Sequence, residues 1–208
     1  QSKMSRQNKI RPLLSAMIAT ILAIAGLGYY WVKKNNAGPL DKMGVLPGFS
    51  FKDQRDQSIG SDNFKGKIWV ANFIFTRCPT VCPRLSKIMA KVQKQTEALG
   101  DKVQLVSFSV DPEFDKPPVL AAFAKKFGAG PRWSFLTGDV DNVKKTVVEG
   151  LKIGVERGKD KNNIPDITHG THFVLMDAGL TIRGYYRVEE PAAYEKLLVD
   201  LQRLADGL

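Results

Sequence analysis

An α/β fold with a central mixed sheet flanked by helices, preceded by one N-terminal transmembrane helix, is the architecture this 208-residue sequence predicts. Three observations lead to it. Residues 13–32 run for twenty positions without a charge. Residues 68–75 (IWVANFIF) form a nearly unbroken apolar run rich in β-branched and aromatic side chains, the pattern of a strand buried on both faces. Beyond it, strand-like and helix-like segments alternate toward the C-terminus.

Twenty helical residues rising 1.5 Å each span about 30 Å, the thickness of a bilayer's hydrocarbon core. Tyr29, Tyr30 and Trp31 stand at the far end of the run, where an interfacial aromatic belt would sit. Lys3, Arg6, Lys9 and Arg11 precede it, and Lys33 and Lys34 follow it. That bias puts the N-terminus in the cytoplasm and the remaining chain on the outer face of the membrane. The run is long for a signal peptide, and the Tyr-Tyr-Trp end is a poor small-residue cleavage site, so an uncleaved anchor is expected. The chain therefore divides into a basic segment (1–12), an anchor (13–32), a Gly- and Pro-containing linker (33–48) and a domain (49–208).

Charge supports this division. Of the net +10, residues 1–34 supply six basic side chains and no acid, while the 25 Lys and Arg beyond them face 21 Asp and Glu. The domain's mild excess carries no nucleic-acid footprint. A hydrophobic fraction of 43% and a charged fraction of 25% exclude a repeat array, a collagen or a disordered tail as the main body.

Within the domain, residues 49–59 read as an early hairpin at the sheet edge, and 68–75 as its central strand. TRCPTVCP follows, then a helix over 84–99 with apolar periodicity through Leu85, Ile88, Met89 and Val92, closed by Gly100. Residues 103–110 predict a second strand, and 117–127 a short helix with proline in its first turn. Another helix is expected over 140–149. Residues 173–176 and 182–186 make a hairpin around Asp177-Ala-Gly179, and 191–204 close the domain as an amphipathic helix. Strand, helix, strand, helix, hairpin, helix is the thioredoxin-like order.

The chemistry concentrates on Cys78 and Cys82. Two cysteines cannot staple a scaffold, and a close pair after a buried strand suits redox or metal work. If both lie in a helical turn, the i,i+4 spacing faces their side chains the same way, and a helix N-terminus with Arg77 and Arg84 nearby favours thiolate. One residue more than Cys-x-x-Cys widens the gap between the sulfurs, which a soft metal tolerates better than dithiol exchange does. A third ligand can come from His169 or His172, the two histidines of the chain, both just before the strand at 173–176.

TRCPTVCP, then Asp111-Pro-Glu-Phe-Asp115-Lys-Pro117, then Thr168-His169 ahead of Phe173-Val-Leu-Met-Asp177 resembles the Sco/SenC family over residues 45–205. The resemblance implies a membrane-anchored, thioredoxin-like copper protein of cytochrome c oxidase assembly, with copper on Cys78, Cys82 and His169. His172 falls where that family varies and is secondary. Asp111 and Asp115 match its DPxxDxP segment; as hard ligands they are poor metal candidates here, and Asp115 is expected to cap the helix near Pro117 or to shape the copper loop. Gly170 stands where the family commonly has serine. Residues 150–168 read as a polar loop carrying His169 toward the cysteines.

The resemblance implies a copper metallochaperone delivering Cu(I), Cu(II) or both to the binuclear copper centre of cytochrome c oxidase subunit II. A copper-donating chaperone and a thioredoxin-like reductant are its implied partners. Thiol-disulfide oxidoreductase activity is the alternative: Cys78, as the more exposed thiol, would attack the oxidase's copper-ligand cysteines in their disulfide form and Cys82 would resolve. A peroxidase-like or redox-sensing role has no residues of its own. The expected location is the bacterial inner membrane with the domain in the periplasm, the alternative being the mitochondrial inner membrane facing the intermembrane space.

Overall fold

The computed structural model describes residues 16–28, 38–158 and 167–208. The chain separates into two compact units, Gln1–Pro39 and Leu40–Leu208. In the first, residues 16–28 are helical (α1). Its apolar side chains Met17, Ile18, Ile21, Leu22, Ile24 and Leu27 are all more than half exposed. No helix among the described residues is long and apolar enough to cross a membrane. The rest of the expected anchor, 13–15 and 29–32, lies outside the described residues.

In the second unit β3 (Ile68–Ile74) is central, with all seven residues buried. β4 (Val103–Ser109) runs parallel to it, and β5 (Trp133–Leu136) runs parallel to β4. On the other side β8 (Phe173–Met176) is antiparallel to β3, and β9 (Ile182–Tyr186) is antiparallel to β8. The sheet order β5-β4-β3-β8-β9 is that of a mixed sheet. Burial on both faces explains why β3 reads as a continuous apolar run instead of an alternating one. The helices are α2 (Val81–Gln95), α3 (Pro117–Lys126), α4 (Val140–Val143) and α5 (Pro191–Asp206).

Several expectations shift. β1 (Ser50–Lys52) and β2 (Ser58–Gly60) form a two-stranded sheet of their own, which meets the edge of the main sheet through a bridge between Lys52 and Thr137, just past β5. Phe49, Phe51 and Phe64 bring this hairpin down onto Trp69 and Phe108, with ring centroids 5.2–6.3 Å apart. β5 was not expected, because four buried residues give too short a run to show a period. Gln54 secures its backbone: the amide donates to the Trp133 carbonyl at 3.0 Å and accepts from the Phe135 N–H at 2.8 Å, as a neighbouring strand would. The helix expected over 140–149 is α-helical only to Val143 and widens into a π-helical segment over Lys144–Gly150. Gly150 meets Leu46 there so closely that a Cβ would lie 2.6 Å from Leu46 Cδ1.

Two further changes concern the site. α2 begins at Val81 and ends at Gln95, where Thr96 turns its hydroxyl back onto the Val92 carbonyl at 2.9 Å. Part of the loop expected over 150–168 is ordered as an antiparallel pair, β6 (Val155–Arg157) with β7 (Ile167–His169). Residues 159–166 of that loop lie outside the described residues.

Candidate metal centre

Five residues separate the end of β3 from the N-cap of α2 at Thr80. Cys78 sits in this loop, and only Cys82 is on the helix. The expected i,i+4 pair within one helical turn is therefore replaced by a loop thiol facing a helix thiol. Pro83, in the first turn of α2, loses no hydrogen bond there because the first N–H groups of a helix have no internal partner.

Those unpaired N–H groups are turned to use. Thr80 makes no side-chain cap, and the Cys82 N–H donates instead to Cys78 Sγ at 3.4 Å. Cys82 Sγ accepts from the Phe75 N–H, also at 3.4 Å. Both thiols are free and buried, Cys78 at 9% exposure and Cys82 at 0%. The Cys78 thiol is pushed down to about 5, first by the hydrogen bond from the Cys82 side chain and then by the Cys82, Thr80 and Val81 backbone N–H groups, against the opposing effect of burial. Cys82 is pushed up, because it keeps the shared proton and is desolvated. Arg77 and Arg84 are not the cause that was expected. Arg77 pairs with Asp111 at 2.7 Å and Arg84 with Glu189 at 2.5 Å.

The asymmetry has a measurable consequence. Alkylation by iodoacetamide should rise through a midpoint near pH 5 at Cys78 and be flat above neutrality. Cys82 should stay unmodified across the same range, as mass mapping of the labelled peptides will show. A midpoint near the ordinary thiol value at Cys78 would contradict the hydrogen-bonded thiolate.

His169 arrives from the opposite side on β7, held in register by the pairing of Val155 with His169. Its Nδ1 lies 3.0 Å from the Gly170 carbonyl, which can only accept, so the ring proton is assigned to Nδ1. The lone pair of Nε2 then faces Cys82 Sγ at 3.7 Å. Phe75 sets its ring edge-on to the imidazole, 5.9 Å between centroids. Burial holds the imidazole below its ordinary value, opposed by the Gly170 carbonyl and the Cys78 charge. It is therefore neutral at pH 7, the form in which histidine binds metals.

Bond lengths of about 2.3 Å to sulfur and 2.0–2.1 Å to imidazole nitrogen, taken from zinc, put two ligands of one ion about 3.6–3.8 Å apart at tetrahedral to trigonal angles. The Cys82–His169 separation falls in that interval. No group of three or more His, Cys, Asp or Glu donors among the described residues is already closed around a single point. His172 stays half-exposed in the turn before β8, without a contact to either sulfur among the described residues.

A carboxylate pair underpins the loop. Asp115, fully buried, accepts from the Thr76 N–H at 3.1 Å, the Thr76 hydroxyl, and the Ser109 hydroxyl at 2.7 Å. It does not cap α3, whose N-cap is Lys116 without a side-chain bond. Of its two expected roles, shaping the cysteine loop is the one observed. Burial pushes its carboxyl up, with the Thr76 and Ser109 bonds opposing. Asp111, also fully buried, binds Arg77 from the cysteine loop and Arg157 from β6 at 3.3 Å. It thereby ties the strand pair carrying His169 to the loop carrying Cys78. Sequence reasoning missed Arg157, one of several cations in a polar stretch, because only the closed fold brings it to Asp111. At Gly170, a Cβ would lie 3.2 Å from Ile153 Cγ2, so serine there would press on Ile153.

Several known proteins are similar to this chain. A family model described as SCO1/SenC matches residues 39–206. Among solved structures, a SCO1/SenC family lipoprotein from Bacillus anthracis str. Ames is 38% identical with a TM-score of 0.70, over 81% of this chain and 98% of that one. BsSco, a member of the Sco family of cytochrome c oxidase assembly proteins in which a disulfide switch is identified, is 29% identical with a TM-score of 0.67, over 79% and 96%. Bradyrhizobium japonicum ScoI with copper bound shares the fold at 24% identity and a TM-score of 0.68, over 77% and 99%.

Proposed function

This chain belongs to the SCO1/SenC family, and from that premise we propose that it is a copper carrier whose Cys78, Cys82 and His169 hold the ion and pass it to the binuclear copper centre of cytochrome c oxidase subunit II. The observation that carries the reading is the lone pair of His169 Nε2 facing Cys82 Sγ across 3.7 Å, a span suited to one shared ion. Two thiolates and one imidazole are soft and borderline donors, which favour copper over hard cations. Zinc in a structural site would want a fourth protein ligand. Copper in the ScoI relative and oxidase assembly in BsSco point the same way. Release proceeds by ligand exchange, and Cys78 is suited to leave first because it rides on the loop ahead of α2.

Copper stoichiometry of the wild type and Cys82→Ser tests this. The wild type should retain one tightly held copper through gel filtration against a mild chelator, and Cys82→Ser should emerge empty. Equal retention would sink the carrier reading.

The split between the two thiols favours a second role in the same place. The Cys78 thiolate attacks one sulfur of a target disulfide, and the other target sulfur leaves as thiolate. Cys82, losing its proton to solvent, then attacks Cys78 Sγ and expels the second target thiolate. The target gains two electrons, and the chain is left with a Cys78–Cys82 disulfide that a thioredoxin-like reductant must reopen. A fitting target is the subunit II copper-ligand cysteine pair, which must be reduced before loading.

Membrane attachment through residues 13–32, with the domain on the outer face of a bacterial inner membrane, completes the proposal. The exposed apolar side chains of α1 support the helical attachment, and the lipoprotein nature of the Bacillus anthracis relative supports membrane association as such.

A further inference from the structure

The basic excess of the domain is not spread over its surface. Beyond residue 34 the chain has 25 Lys and Arg against 21 Asp and Glu. α2 alone contains four basic residues, Arg84, Lys87, Lys91 and Lys94, and no acid, so the remainder balances at 21 of each. The spacing 84, 87, 91, 94 puts all four on one helical face, and all four are exposed. Arg84 pairs with Glu189; Lys87, Lys91 and Lys94 have no ion-pair partner among the described residues. The row spans eleven residues, about 15 Å along the helix from first to last.

Beside this row lies a groove of about 410 Å³ between α2 and the connection from β9 into α5. Ile88, Val188, Pro191 and Tyr194 form its apolar walls; Arg84, Lys91 and Glu189 also line it, with Glu189 neutralised by Arg84. Tyr194 bonds Gln95 near the far end of α2. None of these residues serves the metal centre, yet Arg84 stands two positions from Cys82.

We propose that this basic face and its groove form a docking surface for an acidic segment of a partner protein that carries an apolar side chain between its carboxylates. The carboxylates meet Lys87, Lys91 and Lys94, and the apolar side chain enters the groove. A flat anionic bilayer fits less well, because the apolar walls are recessed between two elements instead of projecting beside the lysines. The partner is thereby seated alongside the helix whose first turn bears Cys82. This surface does not depend on whether the thiols carry copper or electrons.

The test uses the full chain in uncharged detergent and the peptide acetyl-Glu-Asp-Leu-Asp-Glu-amide as probe, with acetyl-Gln-Asn-Leu-Asn-Gln-amide as control. Backbone amide shifts should be confined to residues 84–94 and 188–194. Affinity should fall more than about tenfold in Lys87→Glu/Lys91→Glu, and similarly on raising salt from about 50 to 300 mM. The neutral peptide should not shift α2, and copper retention by the double variant should match the wild type. Shifts elsewhere, or equal binding by the double variant, overturn the proposal. So does lysine-dependent binding to phosphatidylglycerol over phosphatidylcholine vesicles without peptide binding, which assigns the face to lipid.

Discussion

Replacing His169 by alanine should lower copper affinity more than about a hundredfold while leaving the acid midpoint of Cys78 alkylation near pH 5. The first half follows from loss of a donor: disturbing an outer-shell partner of a metal ligand typically costs ten- to a hundredfold, and removing the ligand itself costs more. The second half follows from the leading causes of the Cys78 shift, which are the Cys82 side chain and three backbone N–H groups and do not include the imidazole. His169→Gly with added imidazole provides the control for misfolding, since a free ring can occupy the gap beneath Phe75 and restore copper binding. A competition titration against a chromophoric Cu(I) chelator reads the first effect, and iodoacetamide kinetics the second. Copper affinity unchanged in His169→Ala would remove the histidine from the site and leave thiol-disulfide exchange as the better account.

Asp115→Ala should destabilise the domain by about 3 kcal/mol. The truncation strands the Thr76 N–H, the Thr76 hydroxyl and the Ser109 hydroxyl, and each unsatisfied buried donor costs about 1–3 kcal/mol. Relief of the buried carboxylate's own desolvation offsets part of that sum. Asp115→Asn keeps one acceptor oxygen and should lose about half as much. Its pH dependence has a definite sign. Burial raises the folded carboxyl above its ordinary value, so the neutral form is favoured by folding. The resulting stability is present below the unfolded value and lost as pH rises through the folded one. The gap between wild type and Asp115→Asn should therefore shrink from about pH 4 to pH 8, as urea melts at both values will show. A gap that widens with pH would mean that the carboxylate is held charged by Thr76 and Ser109.

Both predictions depend on how local signals and tertiary closure divide the site. TRCPTVCP marked the cysteine loop because two prolines and a buried strand before it leave few conformations open. It did not reveal that α2 begins at Val81, leaving Cys78 in the loop, since helix starts without a side-chain cap carry no sequence mark. Arg77 and Arg84 looked like thiolate partners by proximity in sequence, and instead face Asp111 and Glu189. A long side chain goes where a desolvated carboxylate needs it, and chain distance does not report that.

The cysteine pair, the alternation of strands and helices, and the charge-free N-terminal run were determined by sequence alone, because each rests on local periodicity or on residue chemistry that needs no partner. The final strands at 173–176 and 182–186 match their expected bounds for the same reason, a tight turn between two apolar runs. Tertiary structure alone decided the rest. It brought His169 to within 3.7 Å of Cys82 by pairing β7 with β6, gave Asp115 to Thr76 in place of the cap of α3, and joined Arg157 to Asp111 across 46 residues. The physical reason is common to all three: a buried polar group must find a partner, and which one it finds is set by the closed fold.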